Sequence, residues 1–304
     1  MSTVLISGAS GFIGSHLAKS LAADGHRVVR LARPSSRAAP TYETIAWDPD
    51  AGTLDTAALS RARPDVVVNL AGEAIDQHWT SARRQRIRDS RVRGTTILSE
   101  ALAALAAKPK VLVSGSAMGY YGAHRGDEVL DESSSAGADF LAKVARDWEN
   151  ATRAAANAGI RVAISRTGLV LGKQGGVLRR MLPPFKLGIG GRLGSGTQWM
   201  SWIALEDMVR ALRFLADDDS LSGPFNLVAP EAVQNAEFTH ALARVLRRPA
   251  ILPVPKFALR LVFGTMADQT VLASQRIVPK KLAGAAFTFR HPHLKEALRY
   301  ELKR

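Results

Sequence analysis

Gly8, Gly11 and Gly14 stand three residues apart, immediately after the apolar run Thr3-Val4-Leu5-Ile6 and immediately before Ser15 to Ala23, which has helical spacing. A strand that feeds a glycine turn into a helix is the arrangement a dinucleotide pyrophosphate requires. Glycine is needed where the backbone turns sharply, where it approaches the phosphates, and where helix and strand pack closely. The first amides of the helix then face the phosphates with a favourable dipole. The first step is one residue wider than in the common Gly-x-Gly-x-x-Gly pattern. This loop commits the chain to an α/β fold.

The remaining sequence agrees with that class. His26 to Leu31, Ile45-Ala46-Trp47, Val66 to Leu70, Val111-Leu112-Val113 and Val162-Ala163-Ile164 are short apolar runs without polar alternation, which suits strands covered on both faces. Ser81 to Ala107 and Phe140 to Ala158 are long enough for crossover helices. Strand–helix alternation with right-handed crossovers predicts a Rossmann-like, doubly wound parallel sheet. The expected layout is a dinucleotide-binding domain over residues 1–170, with segments near 205–228 returning to it. A smaller C-terminal substrate region covers 171–304 and contains a module at about 250–298. Gly172 to Gly196 holds eight glycines around Pro183-Pro184 and reads as loops over a site or between domains.

Charge and composition narrow the partners. Lys plus Arg is 41 and Asp plus Glu 27, a net charge of +14 that favours phosphate-bearing ligands. The chain has no cysteine, which removes disulfides, thiolate metal sites and cysteine nucleophiles and points to a reducing cytoplasm. The first Lys is Lys19, so a signal peptide's basic start is missing, and no window offers the roughly 20 apolar residues of a membrane span. Arg83 to Arg93 carries six arginines without interleaved aromatic residues, which reads as a charged helix. A small-molecule substrate is therefore expected, with neither a nucleic acid nor a membrane as partner. The seven histidines show no metal spacing, and Gly-x-Ser-x-Gly is absent.

The second strand bears on the choice of cofactor. An NAD site places Asp or Glu about twenty residues after the glycines, to accept from the ribose hydroxyls. Here the strand ends Val29-Arg30-Leu31-Ala32-Arg33, without a carboxylate. Arg33 offers a charge-assisted clamp for the additional phosphate of NADP.

With the glycine loop, Asn69-Leu70-Ala71-Gly72-Glu73 and Ser114 to Gly122 (SGSAMGYYG), the chain resembles the extended short-chain dehydrogenase/reductases. More narrowly, it is similar to their atypical epimerase-family branch, which carries a small C-terminal module. Arg166 to Gly172 (RTGLVLG), Met181 to Phe185 (MLPPF) and Trp202-Ile203 also match. The resemblance implies NADP as cofactor, with Gly8, Ser10, Gly11, Phe12 and Ile13 on the pyrophosphate and Ala32 and Arg33 on the adenosine ribose phosphate. It places Leu70, Ala71 and Gly72 beside adenine and ribose, and Arg91 and Arg166 near the cofactor.

Catalysis departs from the family pattern of Tyr-x-x-x-Lys, in which the phenol is the acid or base and the Lys lowers its pKa. Lys143 is present, but the Tyr position is Asp139, a residue type that also caps helices. Ser116, Tyr120 and Tyr121 are the remaining candidates, with the two tyrosines alternatively packing the strand end. Trp199, Met200, Trp202, Met181, Pro183, Pro184 and Phe185 either line a substrate pocket or join the domains, with Gln198, Lys186 and Arg192 as nearby polar groups. The expected function is an NADP-dependent oxidoreductase or sugar-nucleotide-epimerase-like enzyme. A catalytically weak NADP-binding sensor or partner protein is the alternative.

Overall fold

The computed structural model describes residues 1–33 and 41–304. In chain order, the first half comprises β1 (Thr3–Ser7), α1 (Phe12–Ala23), β2 (Arg27–Ala32), β3 (Glu43–Asp48), β4 (Thr53–Leu54), α2 (Thr56–Ala62), β5 (Val66–Asn69), α3 (Ser81–Ala103), β6 (Val111–Ala117), β7 (His124–Leu130), α4 (Phe140–Asn150), α5 (Arg153–Asn157) and β8 (Arg161–Thr167). The second half comprises β9 (Leu169–Gly172), α6 (Gly176–Lys186), β10 (Trp199–Met200), β11 (Trp202–Ala204), α7 (Leu205–Asp217), β12 (Gly223–Leu227), β13 (Val233–Gln234), α8 (Asn235–Leu246), α9 (Lys256–Phe263), α10 (Met266–Gln269), β14 (Ser274–Ile277), α11 (Lys280–Gly284) and α12 (Leu294–Leu302).

Eight strands form one sheet in the order β12-β8-β6-β5-β1-β2-β3-β4, parallel except for the β3–β4 pair. The chain winds outward from β1 in both directions, so the order reverses between β1 and β5. Ligands of such sheets bind beyond the strand ends at that switch point. The uninterrupted apolar runs follow from burial on both faces. Val4 and Ile6 of β1 enter the core under α1 and α7, while Leu5 enters the core under α2, α3 and α5. A third core joins β9 and β11 to α6, α8 and α12, and holds Met200, Trp202, Leu182 and Phe185. Trp202, Met200 and Phe185 thus serve to join segments of the fold.

Two readings of the sequence need correction. The stretch from Phe140 to Ala158 is two helices, because the chain turns after Asn150. The glycine-rich segment contains a helix, α6, that includes both Pro183 and Pro184. Proline costs a helix the bond to the residue four positions earlier. Here those positions are Arg179 and Arg180, which are exposed, so water can serve their carbonyls.

Candidate functional site

The glycines following β1 build a cradle. Gly8 has φ +71, and a Cβ there would lie 3.0 Å from the Ala71 nitrogen and the Leu70 carbonyl carbon. A Cβ on Gly14 would run into the Gly8 carbonyl, so α1 can start against the turn only with glycine at that position. Gly11 caps α1 without any side-chain hydrogen bond, and its own amide donates to the Gly8 carbonyl at 2.9 Å. The first amides of a twelve-residue helix therefore lack a side-chain acceptor among the described residues, beside the exposed Ser10 and Gly11. That combination fits a pyrophosphate.

Ser7 holds the neighbouring loop in place. Its buried hydroxyl donates to Asn69 Oδ1 at 2.5 Å and accepts the Leu70 and Ala71 amides, each at 3.1 Å. Asn69 in turn donates to Thr95, which also accepts from the Trp148 indole. Leu70, Ala71 and Gly72 are thus fixed across the switch point from Gly8. Arg91 supports the far end of this loop. It donates to the Glu73 and Ile87 carbonyls at 2.9 and 3.1 Å and lies over the Trp148 ring. Burial pushes its pKa down to about 10, so it remains charged at neutral pH. Its donors serve protein carbonyls, and a Cβ on Gly72 would collide with its guanidinium. At the end of β2, Ala32 is half-buried and Arg33 is exposed, paired with exposed Asp50 at 3.0 Å.

The catalytic candidates lie at the ends of the next strands. Strand register sets Ser116 of β6 beside Arg166 of β8, and Arg166 beside Asn226 of β12. Arg166 is buried, and its guanidinium makes a bidentate pair with Glu149 of α4 at 2.9 Å on both bonds. That pair holds the guanidinium pKa above its ordinary range, against the opposing effect of burial. Ser116 donates to the same Glu149 at 2.7 Å, so its proton is engaged within the protein. Arg166 also donates to the Tyr121 hydroxyl at 3.1 Å, and Tyr121 donates to Asn226 Oδ1 at 2.7 Å. Tyr121 is fully buried, and burial pushes its phenol up to about 12 despite Arg166.

Tyr120 differs from its neighbour. It is half-buried with its ring face 3.4 Å from the Arg166 guanidinium carbon, and its hydroxyl makes no hydrogen bond with the described residues. Both tyrosines occupy a 3₁₀ turn, Met118–Tyr121, that directly follows β6. Lys143 is exposed on α4. Asp139 caps that helix, accepting the Ala142 amide at 2.9 Å and the Ala123 amide at 2.7 Å. Two of the four proposed catalytic groups, Ser116 and Tyr121, are therefore occupied internally, and Arg166 is turned inward toward Glu149 and Tyr121. Sequence reading missed Glu149 and Asn226, the residues that occupy them. Neither sits in a recognisable spacing, since each is defined by a partner on another element.

The remaining conspicuous residues have internal explanations. Arg83 pairs with Glu73, Arg88 with Asp147, and Arg84 reaches Thr265 and the Trp79 and Phe140 rings. Gln198 is buried and donates to the Leu193 carbonyl, while Lys186 and Arg192 are exposed. His291 binds Glu206, and His293 pairs with Glu231.

An open, uncapped helix start at the reversal point of a parallel sheet marks the dinucleotide-binding proteins of Rossmann type. Within that class, this chain belongs to the NAD dependent epimerase/dehydratase family, whose model matches residues 4–248. A domain of unknown function, DUF1731, matches residues 254–301. The chain is 48% identical to an epimerase family protein of Mycobacterium bovis, covering 99% of this chain and 98% of that one. It is 39% identical to the chloroplastic SDR39U1 homolog of Arabidopsis thaliana, covering 98% and 86%. Among solved structures, human epimerase family protein SDR39U1 with NADPH superimposes with a TM-score of 0.89 at 30% identity, covering 99% of each chain. A nucleoside-diphosphate sugar epimerase from Corynebacterium glutamicum superimposes at 0.80 and 38% identity, covering 99% of this chain but 58% of that one.

Proposed function

We propose that this protein is an NADP-dependent oxidoreductase or sugar-nucleotide-epimerase-like enzyme, acting on a small carbonyl compound or nucleotide sugar with Tyr120 carrying the proton. The observation that carries the reading is the contrast within the loop after β6. Tyr120 is the candidate hydroxyl there without a hydrogen bond among the described residues, while the Ser116 and Tyr121 protons are engaged. The NADPH in the human relative's structure supports the cofactor, as does Arg33 at the end of a strand without a carboxylate.

When bound, a nicotinamide dinucleotide supplies or accepts hydride. The chain's own residues would do the rest. The Gly8–Gly14 cradle receives the pyrophosphate, and Arg33 meets the ribose phosphate. Tyr120 gives a proton to a carbonyl oxygen as hydride arrives at carbon, or takes it back in the reverse direction. Arg166, pinned by Glu149, holds the Tyr120 ring by its face. Ser116 fixes Glu149 and is a positioning residue in this scheme.

The test is NADPH oxidation with purified protein and a panel of carbonyls and nucleotide sugars. Tyr120→Phe should cut turnover by roughly 10²–10⁴, the usual contribution of a general acid, at unchanged NADPH affinity. Tyr121→Phe should instead lower the melting temperature, because it strips buried Asn226 and Arg166 of a partner. Full turnover in Tyr120→Phe would overturn the assignment. Tight NADPH binding by a wild type that turns over nothing in the panel would favour the sensor reading.

A further inference from the structure

Ten large apolar side chains are strongly exposed among the described residues, and seven of them fall in two short stretches. One holds Leu187 and Ile189. The other holds Ile251 and Leu252 and continues into α9, where Phe257 is 74% exposed and Leu261, one turn later, 83%. Isolated exposed apolar residues are ordinary, but a cluster of this kind marks an interaction surface.

The two stretches form a single surface. Leu193 and Val254 make a parallel bridge, and the Val254 amide donates to the Arg192 carbonyl at 2.9 Å. Gly191 abuts the Leu252 carbonyl so closely that no side chain fits there. The inner face of α9 is already docked, with Leu259 buried against Leu193, Val254 and Leu272. Its outer face, with Phe257, Leu261 and Val262, has no partner among the described residues.

The charge around this surface is one-sided. Residues 179–192 and 244–262 contain nine Lys and Arg and no Asp or Glu. Arg180 pairs with Asp76 and Arg260 with Asp268, while Lys186, Arg247, Arg248 and Lys256 make no ion pair with the described residues. A second copy of the chain is a poor occupant. A two-fold interface brings the same patch against itself and would set this basic rim against its own like. Apolar side chains on an amphipathic helix, in stretches that carry cations and no carboxylate of their own, fit the boundary of an anionic bilayer. No described helix is long and apolar enough to cross a membrane, so the contact is with the surface alone.

We propose that α9 and the adjoining 187–192 and 249–254 strips dock on an anionic lipid bilayer. Phe257 and Leu261 enter the headgroup region, and Lys186, Arg248 and Lys256 meet the lipid charges. The sequence-based expectation of no membrane partner rested on the lack of a spanning segment, which does not bear on such a contact.

Flotation of the full chain with vesicles tests this. NADPH-saturated protein should float with phosphatidylcholine–phosphatidylserine vesicles and at least about tenfold less with phosphatidylcholine alone or in high salt. The double variant Phe257→Ser/Leu261→Ser, and separately Lys186→Glu/Arg248→Glu, should lose flotation while NADPH affinity and melting temperature stay unchanged. If the α9 variant fails to fold, Leu187→Ser/Ile189→Ser tests the same surface from its other strip. The proposal is overturned if wild type stays in the soluble fraction with serine-lipid vesicles, if folded variants float like wild type, or if the apolar substitutions convert a wild-type dimer into monomer.

Discussion

Arg33 shows how a weak contact can leave a residue available for a stronger one. Its pair with Asp50 lies at the surface, with both side chains about half or more exposed. Exposed pairs of this kind contribute between zero and about 1 kcal/mol. A phosphate offers more charge and more acceptors, so Arg33 can exchange Asp50 for the ribose phosphate at little cost. Arg33→Ala should weaken NADPH by about 1–3 kcal/mol and leave NADH nearly unchanged, measured by titration calorimetry. Equal losses for both cofactors would show that Arg33 does not read the extra phosphate. Arg166 is the opposite case. It is also an arginine at a strand end, but it is buried and bidentate to Glu149, and removing Glu149 leaves a buried guanidinium without its ion pair, costing about 3–5 kcal/mol. Both arginines were visible in the sequence as candidates. Only their surroundings separate an exposed, exchangeable arginine from a buried strut.

At the scale of elements, α7 shows a cap supplied from a distance. Its N-cap, Ala204, has no side-chain acceptor, and Glu301 of α12 takes the Leu205 amide at 3.1 Å instead. Burial pushes the Glu301 carboxyl up to about 7, with Glu206 adding to the shift while the backbone amides and His291 oppose it. A carboxyl whose folded pKa lies above its unfolded value binds protons more tightly when folded. Its contribution to stability therefore falls as pH rises from about 4.5 to about 7 and is flat above that. Glu301→Gln keeps the acceptor and removes the titration. Its melting temperature should match wild type near pH 4, exceed it increasingly up to about pH 7, and keep a constant margin above that. A difference that does not vary with pH would refute the role of burial here. The cap is not readable locally, because 96 residues separate acceptor and donor. The cap of α4 is, since Asp139 lies three residues before the Ala142 amide it accepts.

For the whole molecule, two family models do not mean two independent bodies. β14 pairs with β7, Phe287 lies in the core beneath α1 and α7, and α12 shares a core with β9, β11 and α8. Asp207, fully buried in α7, accepts the Arg290 and His291 amides at 2.9 and 2.8 Å. Calorimetry should therefore show one unfolding transition, with calorimetric and van't Hoff enthalpies in agreement. A separate low-temperature transition for the C-terminal segment would contradict the shared cores. The sequence by itself determined the class of fold and the glycine cradle after β1. Apolar runs and a strand–glycine–helix junction act over a few neighbouring residues, where steric and hydrogen-bonding requirements are local. Tertiary structure decided which tyrosine hydroxyl lacks a hydrogen bond among the described residues, which arginine is occupied, and that Pro183 and Pro184 sit in a helix. Those outcomes turn on desolvation and on partners such as Glu149 and Asn226, which lie far along the chain and meet only when β6, β8 and β12 align.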